Sequence, residues 1–419
     1  MGNREIGCQT KNNNGIFHKY YRKNVAQYAL TVGNIGKNEN EILTKINKSL
    51  CSCGRDPHYV NEDGIVEIKE DENGRHLRGL KSCGSNGACP VCASKLSAVR
   101  GNQLRELMGA GRNYSRGYIM LVTTVPHTPN EPLDITLNQV IEMSRYIFQR
   151  KEWREFKELT KCRFTHGGLE NMVSFKNGLV DWHPHKNYLL DFDIPIKEII
   201  QILGLKDESE LRMYVSNLAT NLGNKYFKLR KIDKKLLAPY FEKDKKRDFF
   251  HVKAGVSASL EFDDSYITKW GLDAEMTGSI YKDGRFNGGS FHPFNLLDLI
   301  SSDNKDTSES FKFQCIKAFQ EFVLASKGKW WFYFAKGAVD YYNENYATEI
   351  KVKSDEEELT ELEDTGESIF KISFEEWQFF QPTPLNIGEA LSKNTKQEVL
   401  EYIFEHIEQN RILEFYNTG

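Results

Sequence analysis

Two imidazoles and one amide alternate with other residues in a single stretch of the chain, "DWHPHKNYLLDFD" (181–193). Because a β-strand sends alternate side chains to opposite faces, His183, His185 and Asn187 are predicted to share one face. Burying them without partners would cost several kcal/mol, so water, a partner or a metal should meet them. Glu170, on the preceding predicted strand, could add a carboxylate. These ligand types favour Mn²⁺ or Mg²⁺ near a phosphate, and they leave zinc open.

Five of the eight cysteines form a second group with metal-binding chemistry, in "CSCG" (51–54) and "CGSNGACPVC" (83–92). A Cys-x-x-Cys knuckle such as Cys89–Cys92 fills two corners of a zinc tetrahedron without strain, and Cys83 with one of Cys51 or Cys53 can complete it. The predicted ligands are Cys53, Cys83, Cys89 and Cys92. The alternatives for the remaining corner are Cys51, His58 and His76. We therefore expect a closed, structural zinc site in preference to ordinary reduced cysteines.

The elements that would position these groups are readable from periodicity. A helix is expected near 93–108, a buried strand over 117–127, and one long amphipathic helix through "LNQVIEMSRYIFQRKEWREFKEL". Two paired strands, "RFTHGGLENMVSF" and "LVDWHPHKNYLLDF", are expected to meet at a turn formed by Lys176, Asn177 and Gly178.

Charge is unevenly distributed, although the net charge of 419 residues is only −3. Residues 225–247 carry ten Lys or Arg against three Asp or Glu, and residues 355–376 carry ten acids against one Lys. The basic segment could follow a phosphate backbone, but either run is more often a solvated surface. No stretch is apolar enough to cross a bilayer and no signal peptide opens the chain, so we expect a cytoplasmic protein without a membrane partner.

Three motifs in order give the sequence a family resemblance: "VTTVPHT" (122–128), "DWHPHKNYLL" (181–190) and "YITKWGLDAEMTG" (266–278). They resemble the motifs of plasmid and phage rolling-circle replication initiators, which belong to the superfamily of HUH (His-hydrophobic-His) endonucleases. "GLKSCGSNGACPVCASK" and "KDGRFNGGSFHPFNLL" resemble further blocks, so the likeness spans roughly 51–337. The family usually has His-Pro-His-x-His, whereas Asn187 takes the last position here.

The resemblance implies a chemistry for the third motif. Tyr266 would be the nucleophile, with Tyr281 in reserve, and Lys269 would lie beside the phenol on a helix and lower its pKa. The ion would be Mn²⁺ or Mg²⁺, held by His183, His185, Asn187 and Glu170. Glu261 or Asp263 would activate water. Lys282 and Arg285 would bind DNA phosphates.

The expected fold class is α+β: an antiparallel sheet with flanking helices, an HUH nuclease with a ferredoxin-like core, plus a small zinc-binding lobe. The expected division is a polar segment (1–50), a cysteine-rich lobe (51–112), the nuclease domain (113–345) and an acidic linker with a C-terminal helical region (346–419). The implied function is nicking of a single strand at an origin, which leaves a 5′-phosphotyrosine and a free 3′-hydroxyl.

The implied partners are origin DNA, in a single-stranded or extruded segment, with host helicase and polymerase. Two alternatives remain open. The first is an HUH-type transposase or relaxase, which the cysteine block and the "GGSFHPFNLL" block disfavour. The second is a non-catalytic, zinc-dependent DNA-binding protein, which the Asn187 departure makes conceivable.

Overall fold

The structure of this chain is a computed structural model, and it divides into two compact units. The first comprises Met1–Leu96, Leu297–Ile316 and Lys353–Gly419, and the second comprises Ser97–Leu296 and Lys317–Val352. The described residues are 13–32, 36–58, 63–71, 74–125, 127, 129–230, 257–259, 290–302, 308–329 and 331–418. Among them, no helix has both the length and the apolar character that spanning a bilayer requires.

Helices and strands follow one another along the described residues in a mixed order. The helices are α1 (Asn13–Ala29), α2 (Lys37–Ser52), α3 (Pro90–Asn113), α4 (Leu133–Gln149), α5 (Lys151–Leu159), α6 (Ile196–Ile202), α7 (Glu208–Arg230), α8 (Asn295–Ile300), α9 (Glu309–Ser326), α10 (Ala338–Tyr346), α11 (Asp355–Asp364), α12 (Phe374–Phe379), α13 (Pro384–Ser392) and α14 (Lys396–Thr418). The strands are β1 (Ile65–Asp71), β2 (Gly74–Arg78), β3 (Gly117–Thr124), β4 (Cys162–Lys176), β5 (Leu179–Phe192), β6 (Ser257–Ser259), β7 (Phe332–Tyr333) and β8 (Glu367–Ser373). The fold is therefore α+β, with two antiparallel sheets and flanking helices, which is the general class that the sequence predicted.

The first unit contains a three-stranded antiparallel sheet in the order β2-β1-β8. Strand β8 pairs with β1 so that Ser373 lies opposite Ile65 and Ile372 opposite Val66. Both Val66 and Ile372 are buried, which gives this pairing an apolar basis. The C-terminal part of the chain thus folds with the segment that carries the cysteines, a feature that the predicted domain boundaries did not include.

The second unit is built on a five-stranded antiparallel sheet in the order β6-β3-β5-β4-β7, with the histidine-bearing strand β5 at the centre. Strands β4 and β5 form a long hairpin in which Lys176 lies opposite Leu179. Its turn has positive φ at Asn177 (53°) and Gly178 (73°), the left-handed conformation that a two-residue hairpin turn requires and that Asn-Gly adopts readily. The predicted hairpin is confirmed.

The two faces of this sheet are covered differently. One face packs Leu121, Tyr188 and Leu190 against α4, α5, α6 and α7 in the main apolar core. The opposite face packs Leu189 with residues of α3 and α10. Because residues of one strand alternate between faces, the predicted polar row of β5 lies on the face of Leu189. The sheet therefore separates the main core from that row.

The single long helix predicted over 137–159 is in fact two helices. Arg150 breaks it with an extended backbone (φ −72°, ψ 149°), and its guanidinium lies 4.2 Å from the ring centroid of Tyr146. The break redirects α5 so that Trp153 and Phe156 join the same core as Ile147. Apolar periodicity continues through Arg150, so the pattern alone could not reveal the change of direction.

Two glycines of α3 offer a matched test of its packing against the second sheet. A Cβ on Gly111 would overlap the Tyr118 hydroxyl and lie 2.8 Å from the Tyr342 hydroxyl, whereas a Cβ on Gly109 would meet nothing within 4 Å. We expect Gly111→Ala to lower the free energy of unfolding by about 1–3 kcal/mol through overpacking. Gly109→Ala should raise it by about 0.5–1 kcal/mol through lower backbone entropy in the unfolded chain. Urea denaturation of both variants measures the difference, and equal effects would contradict the packing described.

Candidate metal centres and polar row

Four cysteines converge in the first unit: Cys53, Cys83, Cys89 and Cys92. The Sγ atoms of Cys53 and Cys92 lie 3.6 Å apart, those of Cys83 and Cys92 lie 3.7 Å apart, and those of Cys53 and Cys89 lie 4.0 Å apart. Four sulfurs bound tetrahedrally to zinc at about 2.3 Å would lie about 3.8 Å from one another. The cluster can therefore hold a metal ion such as zinc, and the four predicted ligands are the ones brought together.

Local structure explains how these cysteines meet. Cys53 directly follows α2, Cys89 directly precedes α3, and Cys92 lies in the first turn of that helix. Pro90, at the first helical position, is compatible with a helix start because its missing N–H would have had no partner there. Thiolates at a helix N-terminus are stabilised by the helix dipole. Of the alternatives, Cys51 lies outside the cluster and its thiol contacts Asn47 at 3.9 Å.

A buried lysine provides positive charge beside the thiols. Lys23 is 1% exposed, and its ammonium donates a hydrogen bond to the carbonyl oxygen of Cys53. Burial alone would lower the pKa of Lys23, but the negative charge of Cys53 and the other cysteines raises it. Hydrogen bonds from the other thiols, that of Cys83 first, hold the pKa of Cys53 well below its ordinary range. A cationic side chain here offsets the double negative charge of a metal held by four thiolates.

The acidic C-terminal segment packs beside the cysteines. The part of this segment that was expected to be a linker contains the helix α11, which begins with a capping box formed by the N-cap residue Ser354 and Glu357. Near the end of that helix, Glu363 accepts a hydrogen bond from Ser82 at 2.8 Å and pairs with Lys95 at 3.3 Å. Ser82 precedes Cys83, so part of the acid run supports the loop that carries one cluster cysteine.

The predicted polar row of the second unit does lie on one face of β5, together with the facing residue of β4. Glu170 stands directly opposite His185, and Asn187 donates from its amide nitrogen to Glu170 Oε2 at 3.3 Å. Because that nitrogen faces the carboxylate, the Asn187 carbonyl oxygen is the amide atom able to ligate a cation. Glu170, His185 and Asn187 are thus neighbours on one face of the sheet, where they offer oxygen and nitrogen atoms of the kinds that ligate cations, and Glu170 and Asn187 are buried.

His183 belongs to a neighbouring group, because it lies two residues nearer the hairpin turn than His185 does. Its Nε2 lies 3.3 Å from Asp181 Oδ2 and 3.0 Å from Ser174 Oγ. His127, which follows β3, places its Nε2 3.3 Å from Asp181 Oδ1. His127, Asp181 and His183 have ligand atoms within 4.8 Å of one another. Burial would raise the pKa of Asp181, but its hydrogen bonds with His127, His183 and Lys176 hold it well below the ordinary aspartate range.

Two members of that group were not among the predicted ligands. Asp181 lies two residues before His183, so the same period-two reasoning could have included it. His127 was quoted within the first motif, but nothing local to that motif shows that it meets β5. The antiparallel pairing of β3 with β5, in which Thr124 lies opposite His185, brings it there.

The remaining predicted site residues lie outside the described residues. They are the nucleophile candidates Tyr266 and Tyr281, the adjacent Lys269, the carboxylates Glu261 and Asp263, and the phosphate-binding candidates Lys282 and Arg285. The basic run after residue 230 lies outside them as well. These assignments stay predictions.

Comparison with known proteins adds no relative. The chain matches no protein-family model, and neither curated proteins nor solved structures give a significant match. Assignment of a function therefore depends on the chemistry of the two groups on β5, on the cysteine cluster and on the ordered sequence motifs.

Proposed function

We propose that this chain is a rolling-circle replication initiator of the HUH type, a metal-dependent endonuclease that nicks one DNA strand at an origin. The observation that carries the proposal is that Glu170 of β4 lies beside His185 and Asn187 of the central strand β5, on one face of the sheet. A carboxylate and an imidazole with an amide oxygen form a donor set that suits Mn²⁺ or Mg²⁺ beside a phosphate. The architecture supports it as well, because a histidine strand central to an antiparallel sheet is what the family resemblance implies.

The proposed reaction is a phosphoryl transfer through a covalent intermediate. The Tyr266 phenolic oxygen forms a bond to the scissile phosphorus, the bond from phosphorus to the 3′ oxygen breaks, and that oxygen leaves as a 3′-hydroxyl after taking a proton. Lys269 would favour the ionised phenol of Tyr266. A divalent ion at Glu170, His185 and Asn187, when bound, would polarise a non-bridging phosphate oxygen. The phosphotyrosine conserves the bond energy, so joining the strand again needs no nucleotide cofactor.

The cysteine cluster would hold structural zinc in this scheme. Four thiolate ligands close the coordination sphere and leave no position for substrate, so the ion would stabilise the lobe. DNA in a single-stranded or extruded form would be the substrate, with Lys282 and Arg285 binding its phosphates. Host helicase and polymerase would act on the free 3′-hydroxyl.

Covalent capture tests this proposal directly. The purified protein is incubated with Mn²⁺ and a pool of randomised single-stranded oligonucleotides, denatured, and separated from DNA that is not covalently attached. Sequencing of the captured DNA then identifies the cleaved site. We expect a protein–DNA adduct that Tyr266→Phe loses and that Tyr281→Phe keeps, and we expect His185→Ala to reduce it because that variant lacks one ion ligand.

Two outcomes would contradict the proposal. DNA binding without an adduct in any metal-loaded sample would favour the non-catalytic, zinc-dependent binding protein instead. An adduct that persists in Tyr266→Phe and disappears in Tyr281→Phe would overturn the assignment of the nucleophile. An unchanged circular dichroism spectrum of each variant ensures that a lost adduct reflects lost chemistry.

A further inference from the structure

We propose that His127, Asp181 and His183 form a second divalent-cation site, separate from Glu170, His185 and Asn187 and suited to a transition metal. The proposal goes beyond the nuclease assignment and does not depend on it, because only the geometry of this three-residue group supports it. The candidate ions are Zn²⁺, Ni²⁺, Co²⁺, Mn²⁺ and Fe²⁺, for which two imidazoles and one carboxylate are ordinary ligands.

The hydrogen bond made by His127 fixes which of its ring nitrogens can bind a metal. His127 Nδ1 lies 3.1 Å from the carbonyl oxygen of Val125, which can only accept, so Nδ1 carries the proton. In the neutral ring, Nε2 then presents a lone pair toward Asp181 Oδ1 at 3.3 Å. Two acceptors facing each other repel unless a proton or a cation lies between them. Metal-bound histidines commonly donate their second N–H to a backbone carbonyl in this way.

The charges of the cluster favour a metal over two protonated rings. The ring centroids of His127 and His183 lie 4.4 Å apart, so two imidazolium ions would repel strongly at this partly buried position. Lys176 also contacts Asp181, which would place three positive charges around one carboxylate. A divalent ion carries the same two positive charges as two imidazolium rings, but it places them between the ligand atoms, so that both rings can be neutral. Lys176, whose side chain is 56% exposed beside the hairpin turn, can withdraw into solvent.

Distances and access also fit a metal. Both imidazole Nε2 atoms lie 3.3 Å from an oxygen of Asp181, close to the separation of about 3.3 Å between two ligands held tetrahedrally at about 2.0 Å. The Asp181 side chain is fully buried, while those of His127 and His183 are 11% and 18% exposed. Three protein ligands leave at least one coordination position for water or another ligand.

Equilibrium dialysis with Ni²⁺ tests the site in the full-length protein after its cysteine cluster has been loaded with zinc. We expect His127→Ala to weaken binding of one Ni²⁺ equivalent at least about tenfold. Replacing even a residue that only hydrogen-bonds to a metal ligand commonly lowers metal affinity by about that factor. His185→Ala, altered on β5 two residues from His183, should affect only a separate equivalent held at Glu170, His185 and Asn187 and should keep the equivalent that His127→Ala loses. Tyr266→Phe should retain it as well, so failure of the nuclease proposal would leave this result unchanged.

The same experiment can overturn the proposal. Equal Ni²⁺ binding by wild type and His127→Ala would mean that the three residues form only an ion-paired cluster with Lys176. If the losses in His127→Ala and His185→Ala do not add in the double variant, the two groups form one shared site. Asp181→Asn serves as a second variant, with circular dichroism to confirm folding. Paramagnetically shifted imidazole proton signals in the Co²⁺ form should be present in wild type and reduced in His127→Ala.

Discussion

Replacing Cys89 with serine is expected to remove one equivalent of zinc and to lower the free energy of unfolding of the first unit by about 5 kcal/mol or more. The size follows from structural zinc sites, whose apparent binding free energies are on the order of 10 kcal/mol and are coupled to folding. Cys89 is fully buried, and its sulfur faces Cys53 at 4.0 Å. Serine leaves three thiolates beside Lys23, an arrangement that binds zinc more weakly.

The matched control for this experiment is Cys51→Ser. Cys51 lies two residues from Cys53 but outside the cluster, so its replacement should leave both the zinc content and the melting temperature within error of wild type. Zinc is measured by mass spectrometry of the digested protein and stability by thermal denaturation. If Cys89→Ser keeps a full equivalent of zinc, or has the same melting temperature as Cys51→Ser, then the cluster is not a metal site.

The side-chain placements that the sequence predicts correctly depend on local pattern. The alternation through His183, His185 and Asn187 requires only that the segment be a strand, and the Asn177-Gly178 turn fixes the register with β4 that sets Glu170 opposite His185. The convergence of the four cysteines was predictable for a similar reason, since the spacing of Cys89 and Cys92 matches the knuckle that a zinc site requires.

The parts that could not be predicted depend on contacts between distant segments. Residues of β8 and β1 are about three hundred positions apart, and neither strand's composition shows that they pair. The acid run looked like a solvated linker because charge is normally exposed, yet Glu363 is buried through its contacts with Ser82 and Lys95. His127 joins Asp181 only because β3 lies beside β5. Such features need the three-dimensional pairing, which no single segment encodes.

A second large effect is expected from Arg116→Met in the second unit. The Arg116 side chain is 1% exposed, and its Nε donates to Asp191 Oδ1 at 2.9 Å, while its Nη1 donates to Asp193 and to the hydroxyl of Tyr346. Removing the cation leaves the fully buried Asp191 carboxylate without its main counter-charge, although the Tyr342 hydroxyl still donates to it at 3.0 Å. Breaking such a pair costs about 3–5 kcal/mol of stability.

Arg163→Met is the matched control, because Arg163 also binds Asp193, at 2.8 Å, but is 45% exposed. Solvent screening limits a pair of this kind to about 1 kcal/mol or less. Urea denaturation of both variants should therefore show a loss several times larger for Arg116→Met. Adding Asp191→Asn to Arg116→Met should recover part of that loss, since the buried charge is then removed along with its partner. Equal losses in the two single variants, or no recovery in the double variant, would mean that Arg116 stabilises the sheet by packing against Tyr342 and Tyr346 and not by charge.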